Sequence, residues 1–539
     1  MRISRIQLAG LAVAIAGAGG AAQEAAADDL TITTATTTPV VTSNAANASP
    51  GDVTIASTGS ITIDAGETAV TIDSNNDVTN SGRIASNNAD DVIAIWANGG
   101  FSGTITNNGA VNLFEDNTIS DTDSDGDLDG VLAVGTNRHG IFINGAFTGD
   151  IINSASGDIT VEGNNSSAIT LNGPLTGNIT NDGDIGISGG NSYGILIDGA
   201  VSGDVISTGT IGVRGENSSA IRVNEQIGGE LSINGIYTVS GYLSNQLPSN
   251  QATLEPSDVL QSGAAIDVRA SVDGGVTIEG LGVEDDEDDD GDSTNDEADD
   301  NDTAQILVFG SSPAVLLRAD AGNILLGQNE FGFGLHNRGV LTTNGLYDGI
   351  SSTGFRVEGL AGNTVTVSGG ITNDRAINSI AREANAYVIS IGDGAIVSQI
   401  LNRDRLLSNV VSDGADTAYG VYLEGGATSS LVNGGTISAE LLGEQGDAVA
   451  IFDGSNSLAS ITNRGTIRAR VAPTDDDPSD EIVPVATGDE VAIDVSASTI
   501  NVLIEQLPDV PFTDDDAVDD DEDNRPLTQI VGDVRFGSG

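Results

Sequence analysis

Ile169-Thr170-Leu171-Asn172-Gly173-Pro174-Leu175-Thr176-Gly177 returns as Ile195-Leu196-Ile197-Asp198-Gly199-Ala200-Val201-Ser202-Gly203, and again as Ile221-Arg222-Val223-Asn224-Glu225-Gln226-Ile227-Gly228-Gly229. The steps from Gly177 to Gly203 and from Gly203 to Gly229 are both 26 residues. Two more copies stand upstream, I-F-I-N-G-A-F-T-G at 141–149 and I-W-A-N-G-G-F-S-G at 95–103. A fixed period of this size means one supersecondary unit stacked on itself. Each copy opens with the period-two alternation of a half-buried strand. An N-G or D-G turn follows, at which Gly or Asn is expected to take φ > 0. Then come a second inward residue (Phe101, Phe147, Leu175, Val201, Ile227), a short strand such as 178–180, and a last turn and strand such as 181–185. Three strands and three turns per unit predict an all-β, three-faced solenoid, a parallel β-helix. A propeller blade needs ~40–45 residues and fits less well.

The composition agrees. Glycine supplies 71 of 539 residues and aromatics only 4%, too few large side chains for ordinary globular cores. Small aliphatic residues stacked coil on coil serve instead. Acidic residues number 79 against 19 basic ones, all arginine, for a formal charge of −60. That charge argues against nucleic acid as a partner and disfavours anionic lipid. Cysteine is absent, so disulfides, thiol catalysis and Cys-based zinc sites are excluded.

In chain order, residues 1–27 read as a secretory signal: Arg2 and Arg5, an apolar stretch over 8–16, and Ala25-Ala26-Ala27 before Asp28. Residues 28–50 read as an extended leader or N-terminal cap. The β-helix is expected over 51–471, with insertions at 112–131 and 284–302. An N-x-G-x-[IVL] turn recurs at 80–84, 107–111, 181–185, 337–341, 433–437 and 463–467. Within 342–410 that turn is lost, and 376–386 admits one short helix. Residues 472–539 read as acidic loops and further coil. Further acidic runs fall at 475–481 and 514–523.

Two insertions carry calcium-like spacing, in which carboxylate oxygens converge on a tight glycine turn. Asp121, Asp123, Asp125 and Gly126 occupy positions 1, 3, 5 and 6 of such a loop, with Asp127 and Asp129 following. Asp286, Asp288, Asp290 and Gly291 repeat the pattern, and Glu297 falls at position 12. Ca²⁺ is therefore a candidate ligand of both, against the alternative of solvated acidic loops. Catalytic constellations are not apparent: His139 and His336 read as structural or exposed, and G-x-S-x-G at 186–190 lies inside a coil. The outward middle residues of the five aligned coils are Trp96, Phe142, Thr170, Leu196 and Arg222. Trp96 and Phe142 are expected side by side as a sugar- or partner-binding ridge, unless the neighbouring insertion covers them.

The signal segment, the I-T-N-x-G-x-I turns and the Gly/Asn/Thr-rich coils over 51–471 resemble the passenger regions of bacterial autotransporters, the type V secretion family. The resemblance implies a right-handed parallel β-helix exported by the Sec route, displayed at the cell surface through a C-terminal outer-membrane translocation barrel. The chain departs from that pattern, ending at 531–539 in what reads as the start of another coil. This implies the N-terminal part of a longer protein. Three functions follow as expectations: a structural or adhesive surface rod contacting glycans or other cells, a polysaccharide-degrading enzyme on the same fold, and a calcium-dependent surface-layer or RTX-like protein.

Overall fold

The computed structural model describes residues 29–122, 124, 128–248, 250–280, 304–473, 485–508 and 528–538. They wind as a right-handed parallel β-helix, and the repeat sets its pitch. One lap lays Ile179–Asn181 into a first sheet, Asp184–Ser188 into a second and Tyr193–Ile197 into a third. The next lap begins at Val205–Ser207, paired in parallel with the strand one period earlier. Repetition builds one sheet of 17 strands and two of 15. At ~4.8 Å per strand a 15-strand sheet is roughly 70 Å deep.

Register follows the sequence alignment. Ile95, Ile141, Ile169, Ile195 and Ile221 stand one above another as direct partners, all fully buried. Burying each such isoleucine contributes roughly 1.5–3 kcal/mol. The second inward residue forms a short fourth column between the third and first sheets. Phe101, Phe147 and Leu175 pair in it as strands, and Val201, Ile227, Val272 and Leu326 extend it by single bridges.

The asparagine of the recurrent turn points inward and is fully buried. Its amide bonds to the asparagine one lap away, so Asn80, Asn107, Asn153 and Asn181 form a ladder with each Nδ2 donating to the next Oδ1 at 2.8 Å. A second ladder runs Asn337, Asn373, Asn402, Asn433, Asn463, with links of 2.7–2.8 Å. Each buried polar group thereby meets a partner, without which burial would be costly. The turn's glycine answers to crowding: a Cβ on Gly183 would lie 2.2 Å from the Gly157 carbonyl oxygen. The same holds for Gly199, 2.0 Å from the Gly173 oxygen, so the expected positive φ is not what selects glycine at Gly173 and Gly199. Left-handed backbone sits instead at the corner between second and third sheets, on Asn137, Asn165, Asn191 and Asn217. Asparagine tolerates it there.

Two expectations need correction. Winding starts before residue 51: Leu30–Ile32, Ala35–Thr36 and Val40–Val41 already form a lap paired with Val53–Ile55, Ser60–Thr62 and Thr68–Ile72. The stretch 342–410 is wound, as the expected span of 51–471 requires. No helix forms at 376–386; Ile377–Arg382 and Ala386–Ile391 are strands of the second and third sheets. Pairing on both sides overrides the local preference of Ala and Arg for helix. The further coil expected over 472–539 is present at Glu490–Val495, Leu503–Gln506, Gln529–Val531 and Asp533–Phe536. The signal segment and the acidic runs at 284–302, 475–481 and 514–523 lie outside the described residues.

Candidate functional site

Strands of the third sheet alternate inward aliphatic with outward residues, so every lap places one side chain in a central outer column. In order the column reads Thr71, Trp96, Phe142, Thr170, Leu196, Arg222, Asp267, Leu316, Arg356. The strands Ser352–Gly359 and Ala386–Ile391 then hand it on to Ser390, Tyr422 and Phe452.

Trp96 and Phe142 do meet on this face. Their ring centroids are 5.3 Å apart with planes tilted by 35°, and both side chains are half-buried. Trp96 Nε1 donates to Asn98 Oδ1 at 2.9 Å. His139, two positions along the strand from Ile141, packs its ring 5.0 Å from Phe142 and shares a 2.7 Å hydrogen bond between Nδ1 and Ser167 Oγ. Burial lowers its pKa to about 4, so it is neutral at physiological pH.

The described residues of the insertion beside them bond to its own root and to the second sheet. Its root is closed by Glu115, whose carboxylate accepts from the Val134 and Gly135 amides, both at 2.7 Å. Buried Arg138 stands 3.2 Å from the same carboxylate. Its tip is pinched by an antiparallel bridge between Ser120 and Asp129. The Leu132 carbonyl accepts from Ser188 Oγ at 3.4 Å, so the loop runs down toward later laps of the second sheet. Asp121 accepts from the Ser124 amide at 2.6 Å, and Asp129 accepts from Thr122 Oγ1 at 2.7 Å. Asp123, Asp125 and Asp127 lie outside the described residues, as do Asp286, Asp288, Asp290 and Glu297. Among the described residues no three acidic or histidine side chains converge as a metal-binding group.

Two features of this face were not anticipated. Its middle carries a zipper of ion pairs: Arg222 to Asp267 at 3.6 Å, Arg269 to Asp267 at 2.9 Å, Arg318 to Glu358 at 2.6 Å, and Arg356 to Glu358 at 2.8 Å and Glu424 at 3.3 Å. Further along lies a second aromatic group. Tyr387 and Tyr419 stack at 5.2 Å and 3°, and Tyr422 and Phe452 at 5.2 Å and 14°. One strand spacing is close to an aromatic contact distance, so equivalent positions on successive laps stack unaided. The signal was present in Y-G-V-Y-L at 419–423, but its partners lie about a lap away on either side.

His336 occupies the outer face of the first sheet. Its Nε2 meets Asp374 Oδ2 at 2.8 Å, and Phe331 covers the ring edge-on at 4.8 Å. Burial raises the Asp374 pKa, but the His336 hydrogen bond and the nearby Arg403 charge outweigh it and hold the carboxyl below its usual range. Both histidines are thus packed into the wall of the coil. No protein-family model matches the chain, and no curated protein or solved structure matches it.

Proposed function

We propose that this chain is an exported rod with a structural or adhesive role, displayed at the cell surface in the manner of an autotransporter passenger. An outer-membrane translocation barrel is its export partner, and surface glycans or other cells are its targets. The observation that carries the reading is the third sheet. A stack of laps holds one outward column that carries Trp96, Phe142, Tyr422 and Phe452, with Tyr387 and Tyr419 stacked in the column beside it. A solenoid of this kind turns a short repeat into a long display surface, and the apolar rings along it are the natural contact points.

The charge of −60 supports the same reading, since it favours a self-repelling surface over nucleic acid. The signal-like segment at 1–27 supports export. The test is retention: purified chain, immobilised, is offered a panel of neutral and acidic glycans and intact cells. Retention that falls when Trp96→Ala and Tyr422→Ala are introduced together supports adhesion. Cleavage of the offered polysaccharides, with no retention, would replace it with the enzymatic alternative.

A further inference from the structure

In a solenoid each repeat touches only its neighbours. One edge of this protein breaks that rule. Between the second and third sheets the chain makes long excursions, among them those at 115–137 and at 241–264. Three short turns separate them, at 163–166, 189–192 and 215–218. Four lap steps of ~4.8 Å put their roots about 19 Å apart. Yet the loops reach one another. Asp121 and Leu128 of the first, and Leu247, Pro248 and Leu254 of the second, wall a single cleft of about 320 Å³. Tyr347, from a later lap, forms part of its lining.

The cleft has the character of a binding site. Its size is at the lower end for ligand pockets, and its walls combine the aliphatic and aromatic side chains with polar ones from Asp121, Ser244 and Gln246. The lining is held in place, because the Tyr347 hydroxyl donates to the Ser244 carbonyl at 2.6 Å and Tyr242 Oη to the Gly345 carbonyl at 2.7 Å. Apolar side chains of its lining remain in contact with solvent: Leu128 is 37% exposed and Leu247 42%. The charge of the two loops has one sign. Residues 115–137 hold seven acidic side chains and 241–264 hold two, with no basic residue in either.

From these features we infer that the cleft between the two loops binds a polypeptide segment carrying an aliphatic side chain flanked by arginine or lysine. The aliphatic group fills the space between Leu128, Leu247 and Leu254, and a flanking cation faces Asp121. The inference does not depend on where the rod is displayed.

The test uses the full chain and three labelled peptides of equal length, alternating Arg with Leu, Arg with Ser, and Glu with Leu, followed by fluorescence anisotropy at physiological ionic strength. The Arg/Leu peptide is expected to bind saturably with one-to-one stoichiometry. Leu128→Ser and Leu247→Ser are each expected to weaken it about tenfold or more. Both side chains are exposed, so circular dichroism and the thermal midpoint should be unchanged in the variants. Equal binding of the Arg/Ser peptide would reduce the effect to diffuse attraction by an acidic rod and overturn the inference. Equal binding of the Glu/Leu peptide, unchanged affinity in both variants, or no saturable binding of the Arg/Leu peptide would overturn it as well.

Discussion

Tyr242 and Tyr347, 105 positions apart in the sequence, pack edge to face with centroids 4.7 Å apart, and each donates its hydroxyl to a backbone carbonyl beside the other ring. Both are buried, and burial pushes the Tyr242 phenol well above its ordinary pKa, so it stays a donor. The pair clamps the loop at 241–264 to a later lap. Tyr242→Phe keeps the ring contact and strands the Gly345 carbonyl, and is expected to cost about 1–2 kcal/mol. Tyr242→Ala removes the ring as well and is expected to cost about 3–5 kcal/mol. Urea denaturation measures both, and equal losses would show that the ring contact contributes nothing.

The asparagine ladder predicts a position-dependent cost. Asn402 Nδ2 donates to Asn433 Oδ1 at 2.8 Å, and Asn402 Oδ1 accepts from Asn373 Nδ2 at 2.8 Å. Asn402→Ala leaves a buried acceptor and a buried donor without partners, for an expected loss of about 2–4 kcal/mol. Asn80 bonds to just one asparagine of its ladder, Asn107. Asn80→Ala should therefore cost about half as much, and the two denaturation midpoints give the comparison.

His139 predicts a pH effect of definite sign. Its folded pKa of about 4 lies below the ordinary value of 6.5. The unfolded chain therefore takes up a proton that the folded chain refuses. The stability associated with a neutral His139 is present above the unfolded value and is lost as pH falls toward the folded one. The loss is on the order of 3 kcal/mol. His139→Gln removes this contribution, so its thermal midpoint should fall less steeply than that of the parent over that interval. Parallel curves would mean that His139 is protonated in the folded protein.

Glu358 adds an acid limb. Burial raises its pKa, but the hydrogen bond and charge of Arg356, and then those of Arg318, outweigh burial and hold the carboxyl below its usual range. Stability from a depressed carboxylate is present above its unfolded value and lost as pH falls through the folded one. Glu358→Gln should cost about 1–3 kcal/mol near neutrality, because two guanidinium groups lose a common partner. The cost should shrink under acid, where the parent is also neutral. A cost independent of pH would remove the charge from the explanation.

Much of the winding could be read from the sequence because register in a solenoid is a matter of period. Ile169, Ile195 and Ile221 are equivalent by spacing alone, and they stack as partners. Trp96 and Phe142 follow the same rule, even across 46 residues and an insertion. What escaped was pairing without a repeated motif. The first lap at 30–41 has only two- and three-residue strands, recognisable once the next lap lies against them. At 376–386 the alternation of Ile377, Ser379 and Ala381 was masked by helix-forming neighbours. The turn motif at 181–185 was legible, yet the role of its asparagine was not, because the ladder partners are 28 and 26 residues away. The cleft was hidden because the loop at 241–264 is neither strongly acidic nor repetitive. Pro248 and Pro256, which interrupt the strand pattern, were its one signal.

Surface exposure is the central claim and can be measured directly. Antibodies raised against the folded chain should label intact, unpermeabilised cells that produce it, and external protease should abolish the labelling while cytoplasmic markers survive. Labelling only after the cells are opened would contradict the account.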